Sequence, residues 1–423
     1  MSTRTQSALA MKILEIRTYL MQVGAPSLKA WAADGSFGSH RPDGASSRNW
    51  LFVRVVTDAG ITGIGECSGW PRVVETAVRD LAGLLIGEDP ADIERLCQKM
   101  HIAMMGHGLS GVVGWGAVSG IEMALWDIKG KALGTPVWNL LGGRVRDRIR
   151  IYSHAGTPEV ARSLLERGIT AVKVGGVSQP VAKVAAIREA LGMTVDLMVD
   201  LHGPPWLTPA DAVRMGRALE PYDLLFLEDP IAPENVEGYR RLRDQLALPL
   251  AAGERMAGIW GLRHLIEEEL VDVVQPDTGR AGGLLQMRKI AAMAEAHSIT
   301  VAPHSGSLGP VAEYAALHFL ASIPNCLMLE RIEDDWPVRH AVITPALHSH
   351  DGHLAVPETP GLGVDIDEAV VAAHPSHFNV AVPIEESSGA YEPGTFREHV
   401  YYQTRFRRGA WFSPQPRRSK TED

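Results

Sequence analysis

The sequence predicts an α/β protein in which an N-terminal α+β unit precedes a closed (β/α)8-type barrel. Two patterns carry this. From about Val145 onward, short apolar runs alternate with helical stretches, their starts roughly twenty to thirty residues apart, the length of one βα unit. Before Val145 the order is strands first and helices after. A third observation concerns chemistry: several of the apolar runs end in an acid or a histidine, and barrels of this type carry their chemistry at the C-terminal ends of the strands.

Residues 11–22 alternate as a first strand. A Gly/Ser/Ala/Pro-rich loop over 24–47 holds Trp31, His40 and Arg41, and long loops in compact proteins tend to be functional. Leu51–Thr57 and Ile61–Cys67 flank the turn Asp58-Ala59-Gly60 as a hairpin. Helical periodicity runs from Val73 to Met105, interrupted at Gly87-Glu88-Asp89-Pro90, and again from Ala117 to Leu133. Trp70 is expected to pack or to wall a pocket. The eight barrel strands are read as Ile149–Tyr152, Ala171–Val174, Val195–Asp200, Leu224–Glu228, Leu248–Ala252, Val271–Gln275, Thr300–Pro303 and Leu327–Glu330. This gives a cap over 11–140, a barrel over 141–360 and a polar-aromatic tail over 391–423. The tail is expected to pack against the cap or a neighbouring subunit.

Composition narrows the classes. Net charge is −9 and the pI about 6.0, which argues against a nucleic-acid surface. No apolar run approaches a bilayer span, and the N-terminal MSTRTQSALAMKILEIRTYL has no long apolar core. The three cysteines, Cys67, Cys97 and Cys326, form no CxxC pair and suit a reducing cytoplasm. The expectation is a cytoplasmic enzyme, without nucleic-acid or membrane partners.

Asp200 and His202 stand two apart at the end of the third barrel strand and share a face. The fourth strand ends Glu228-Asp229-Pro230 and the fifth Gly253-Glu254-Arg255. Asp200, Glu228 and Glu254 on successive strands are hard oxygen donors of the kind Mg²⁺ prefers. Asp229, before Pro230, reads as a capping residue. Asp277 and His304 close the sixth and seventh strands. There the carboxylate would orient the imidazole as a general base. Glu330 closes the eighth and, if protonated, could donate a hydrogen bond to a developing oxyanion.

These residues, with Gly120-Ile121-Glu122-Met123-Ala124-Leu125-Trp126-Asp127-Ile128-Lys129-Gly130-Lys131 and Leu141-Gly142-Gly143, resemble the mandelate racemase-like subgroup of the enolase superfamily over roughly 11–370. The resemblance implies a modified TIM barrel, (β/α)7β, under an N-terminal α+β cap that the chain completes over about 361–390. It also implies a Mg²⁺-bound carboxylate substrate that loses its α-proton, and a homo-oligomer. Many relatives carry Lys-x-Lys on the second strand, but here Lys173 is followed by Gly175, so the second base is missing. Racemisation needs two bases. β-Elimination needs one base and one acid, which His304 and His202 supply, and Lys173 adds positive charge near the substrate carboxylate.

The arrangement is similar to acid-sugar dehydratases, galactonate dehydratases in particular, with Leu207-Thr208-Pro209 and Leu227-Glu228-Asp229-Pro230 also similar to mannonate dehydratases. The expected reaction is dehydration of an aldonate or aldarate to a 2-keto-3-deoxy acid. The alternatives are an epimerase or cycloisomerase acting on a hydroxy acid or sugar lactone, or a non-catalytic acid binder. Specificity is expected from the cap through Trp31, His40 and Arg41, with Arg255 a further substrate contact.

Overall fold

The computed structural model describes residues 11–23, 48–106, 111–176, 179–202, 206–306, 308–332 and 337–376, and the backbone of 403–404. Trp31, His40 and Arg41, and the tail apart from that backbone, lie outside the described residues.

The cap begins with an antiparallel sheet of Ile13–Val23, Arg48–Thr57 and Thr62–Cys67 in that order. Helices Pro71–Ala82, Ile93–Met105 and Val112–Leu133 follow. The last of these lies directly on the third cap strand. A Cβ on Gly65 would stand 2.0 Å from the Gly120 carbonyl, and one on Gly63 equally close to that of Ala124. Glycine is required there by close backbone approach. Trp70 is half exposed just ahead of the first helix, so it is not a core packing residue.

Eight parallel strands then form the barrel: Arg148–His154, Ala171–Gly175, Asp196–Asp200, Phe226–Glu228, Leu250–Ala252, Val273–Val274, Thr300–Val301 and Leu329–Glu330. In space the eighth lies beside the first, and the rest follow in chain order to the seventh. A bridge between Val301 and Cys326 joins the seventh strand to the eighth, with Val301 N–H on the Asn325 carbonyl at 2.9 Å and Leu327 N–H on that of Val301 at 2.8 Å. Each of the first seven strands is followed by a helix of nine to fourteen residues. Between the eighth and Gly361, only the four-residue Val338–Ala341 is helical among the described residues. The barrel is therefore (β/α)7β.

Its interior is closed by a ring of Tyr152, Ala171, Met198, Phe226, Ala251, Val273, Ala302 and Met328, one from or beside each strand. Tyr152 and Phe226 meet edge-on, their ring centroids 6.2 Å apart. Large and small side chains share the ring, so it fills without a pore. Strand side chains alternate with period two. The next inward position on each strand therefore sits one layer above this floor, at the C-terminal mouth.

Three buried carboxylates fasten the cap, two to barrel helices and the third to the chain that returns after the barrel. Glu66 accepts the backbone N–H groups of Gly309 and Ala312 at the start of helix Pro310–Ser322. Glu122 accepts those of Leu284 and Leu285 at the start of Gly283–Ala296. A carboxylate suits the free N–H groups at a helix N-terminus. Asp127 takes the N–H of Ile64 on one oxygen and that of Leu362 on the other, with Lys131 alongside at 2.6 Å. The motif from Gly120 to Lys131 thus ties cap sheet, barrel helix and returning chain together. That chain lies along the cap, Asp365 pairing with Arg54, Glu368 accepting from the Tyr19 hydroxyl, and Pro375 bridging Met21. The backbone of Gln403–Thr404 pairs not with the cap but with Trp206–Leu207, in the connection after the third barrel strand.

Candidate active site

The floor ring positions the site by parity. Two residues beyond Tyr152, Ala171, Met198, Phe226, Val273, Ala302 and Met328 stand His154, Lys173, Asp200, Glu228, Gln275, His304 and Glu330. The fifth strand breaks the pattern. Two beyond Ala251 is Gly253, at φ 139°, and Glu254 follows it into the site. A side chain at that φ would be strained. One layer higher come His202, two beyond Asp200, and Asp277, two beyond Gln275.

Lys173 is wholly buried at the centre. Its Nζ donates to Glu228 Oε2 at 2.8 Å, lies 2.6 Å from Glu330 Oε1 and 3.5 Å from Asp200 Oδ2. Burial would lower its pKa, but Glu228 and Glu330 hold it well above the usual range. Glu330 accepts further from the backbone N–H groups of Ser305 and Gly306 at 2.8 and 2.9 Å and from His154 Nε2 at 2.6 Å. Against its burial, Lys173 and His304 hold Glu330 well below the carboxylate range. That corrects the expectation of a protonated donor: every neighbour of this carboxylate is a donor, so the charged form is favoured.

His304 lies between two carboxylates, Nδ1 2.6 Å from Asp277 Oδ2 and Nε2 2.8 Å from Glu254 Oε2. Burial lowers its pKa, but Glu254 and Glu330 outweigh it and raise the value to about 10. Asp277 is itself fixed by the Gly279 N–H at 2.9 Å and by Arg280 at 3.3 Å. Across the mouth, His202 Nδ1 stands 2.8 Å from Asp200 Oδ2. There too burial lowers the pKa and Asp200 overrides it, to about 9.

Asp229 does not cap. It takes a positive φ of 42° and is buried, and Arg255 donates to it at 2.6 Å. The next helix is capped by Asn235 instead. Burial, partly offset by Arg255, pushes the Asp229 carboxyl up to about 7. Arg255 also pairs with Glu254 and lies over the Trp206 ring, 5.1 Å from its centroid. Its guanidinium thus bridges the Asp229 and Glu254 carboxylates while the side chain stays 27% exposed. His154 is the site residue that sequence reading missed. The signal was available, because the first strand continues two residues past Tyr152 with the same parity.

Asp200, Glu228 and Glu254 close adjacent barrel strands and offer only oxygen donors, and none of the three cysteines stands on those strands. Glu228 Oε1 is buried and, among the described residues, has no hydrogen-bond partner. Burial and the nearby Asp200, against Lys173, push the Glu228 carboxyl up to about 8. The donor set fits a hard divalent cation. Among the described residues no three His, Cys, Asp or Glu side chains are already gathered around one point that could hold a metal. Here Asp200 leans on His202, and Glu254 on His304 and Arg255.

An α+β cap on a (β/α)7β barrel, with acids on three successive strands and a His–Asp pair on the next two, defines a member of the enolase superfamily. Residues 43–142 match the mandelate racemase/muconate lactonizing enzyme N-terminal domain, and residues 157–370 match the enolase C-terminal domain-like family. The chain belongs to the mandelate racemase/muconate lactonizing enzyme family of that superfamily. It is 41% identical over 345 residues to a D-galactonate dehydratase of Variovorax paradoxus, covering 75% of this chain and 89% of that one. Among solved structures it is similar to the 3,6-anhydro-D-galactonate cycloisomerase of Zobellia galactanivorans, with TM-score 0.77 and 31% identity over 86% of this chain and 100% of that one. It is equally similar, at TM-score 0.77 and 33% identity, to a mandelate racemase/muconate lactonizing enzyme-like protein of Roseovarius sp. TM1035, over 87% of this chain and 96% of that one. No helix among the described residues is long and apolar enough to cross a membrane.

Proposed function

We infer that this chain is a hydro-lyase, an acid-sugar dehydratase that converts an aldonate to a 2-keto-3-deoxy acid with Mg²⁺. One observation carries the reading. The site offers one imidazole paired with Asp277 and another, across the mouth, paired with Asp200, while Gly175 leaves the position of a second strand-two base without a side chain.

Asp200, Glu228 and Glu254 would hold the metal. When bound, Mg²⁺ supplies Lewis-acid stabilisation of the charge that develops on the substrate carboxylate, and orients that group. Lys173 adds a fixed, buried positive charge beside the same oxygens. Asp277 holds the His304 Nδ1–H, so Nε2, once parted from the Glu254 carboxylate it pairs with here, would be the atom that takes the α-proton. The C3–oxygen bond then breaks. His202, protonated on the edge away from Asp200, gives that proton to the departing hydroxyl, which leaves as water. The enol ketonises to the product. Glu330 acts by holding Lys173, and Trp31, His40 and Arg41 stay the proposed cap contacts to the sugar chain.

The test is formation of 2-keto-3-deoxy acid from D-galactonate and a panel of other mono- and diacid sugars with Mg²⁺. His304→Asn and His202→Asn should each abolish it, and normal turnover by both sinks the assignment. The cycloisomerase relative keeps a second reading in view. Exchange of the α-proton for deuterium without a keto acid would favour that one.

A reducing cytoplasm suits the three free cysteines. Self-association suits the exposed Met105 and Trp260, which line one groove between cap and barrel, and sedimentation would read the assembly.

A further inference from the structure

We propose that His154 positions the hydroxylated chain of the substrate, and that the room over Gly175 receives that chain. The proposal rests on the acid-sugar reading above and goes on to say where in the mouth the sugar is recognised.

The layer above the site is unevenly furnished. The third strand carries His202 there and the sixth carries Asp277. Beyond the first and second strands stand Gly156 and Gly175, and among the described residues a Cβ built on either meets nothing within 4 Å. Among the described residues, no side chain therefore fills the space over His154 and Lys173. These two residues are register partners on adjacent strands, so one sector of the mouth combines free volume with a polar wall.

His154 is suited to read a hydroxyl there. Its Nε2 lies 2.6 Å from Glu330 Oε1. A carboxylate can only accept, so Nε2 carries the hydrogen. Nδ1 then has a lone pair, and among the described residues it has no hydrogen-bond partner; the side chain is about a third exposed, at 34%. Such a nitrogen accepts from a substrate O–H. The two imidazoles stand on either side of Glu330, His304 Nε2 being 3.9 Å from its other oxygen. His154 is thus separated from the proton-abstracting side and free to hold the chain. A site built to pair a hydroxyl discriminates against acids that lack one.

The test measures affinity, in a His304→Asn background with Mg²⁺ so that turnover does not intrude. The ligands are a panel of six-carbon aldonates and, as the acid without a chain, glycolate. His154→Phe should weaken the tightest-binding aldonate by roughly tenfold and glycolate by less than about twofold, as expected for one lost hydrogen bond. His154→Gln, which keeps an acceptor and a donor, should recover most of the loss. Gly175→Val has room for its side chain and should fold, yet it should weaken aldonates selectively by filling the sector. Equal losses for both ligand classes would overturn the proposal, since His154 would then act only through Glu330 and Lys173. Unchanged affinities, or no aldonate binding more tightly than glycolate, would overturn it as well. Failure of the unmodified enzyme to form any keto acid would instead remove the dehydratase reading, with the affinity difference still deciding the role of His154.

Discussion

His318 joins three parts of the molecule and can do so in only one protonation state. It is fully buried in helix Pro310–Ser322. The Trp138 backbone N–H donates to its Nδ1 at 3.1 Å, so Nδ1 is bare. Nε2 faces the Leu362 carbonyl at 3.0 Å and must carry the hydrogen. One neutral tautomer satisfies both partners, linking the barrel helix to the cap-to-barrel junction and to the returning chain. A second proton would set N–H against N–H. Burial accordingly lowers the pKa to about 4, with the Leu362 bond a smaller opposing effect. The folded pKa lies below the unfolded value near 6.5, so acid favours the unfolded chain. The contribution is fully present above pH 6.5 and is lost as pH falls toward 4. Proton linkage puts the loss between pH 7 and pH 5 at roughly 2 kcal/mol, and the full loss at about 3 kcal/mol. The assay is urea unfolding at pH 7, 6 and 5 for the parent and for His318→Gln, whose amide can accept and donate without titrating. Using their difference removes other groups, such as Glu66 and Glu122, which burial raises to about 8 and about 7 and whose effect has the opposite sign. The parent's advantage over the variant should shrink by roughly 2 kcal/mol between pH 7 and pH 5. A difference that stays constant over that range would refute the tautomer argument.

Lys173→Met should cut turnover by at least about a hundredfold and lower stability by roughly 3–5 kcal/mol, because it leaves Glu228 and Glu330 buried without their cation. Keto-acid formation and calorimetry measure the two effects. Glu122→Ala removes the acceptor for Leu284, Leu285 and Trp126 and should cost roughly 2–4 kcal/mol in urea unfolding, with the cap loosened from helix Gly283–Ala296. Gly65→Ala drives a Cβ into the Gly120 carbonyl and should abolish soluble expression, whereas Gly156→Ala, with open space around it, should express normally. Mg²⁺ at a hundred times its Kd should raise the unfolding free energy by about 2.7 kcal/mol, and Glu228→Gln should abolish that gain in a thermal-shift titration.

The difference between what could and could not be read from the chain lies in how each residue is placed. Lys173, Asp200, Glu228, His304 and Glu330 stand on strands whose apolar runs are visible in sequence, and period two then assigns their faces without knowledge of any neighbour. His154 obeys the same rule. The apolar run ends at Tyr152, which hides it, although the strand extends to His154. Glu254 breaks the rule, being three residues beyond its floor residue, and it reaches the site only because Gly253 takes a positive φ. Asp229 misleads local reading for a related reason. The acid before a proline is a common cap, but this one faces Arg255, whose approach depends on how the fourth and fifth strands lie side by side. Glu66, Glu122 and Asp127 show the limit of parity most directly. Each is an acid on an apolar face, and each is explained only by backbone N–H groups tens to hundreds of residues away. A buried carboxylate with no such partner would destabilise the cap. Their presence in an apolar pattern is therefore evidence of a packed helix N-terminus or strand whose identity only the fold supplies. The same reasoning gives Glu228 its meaning: among the described residues its Oε1 has no protein donor, so this buried acid points to a cation as its missing partner.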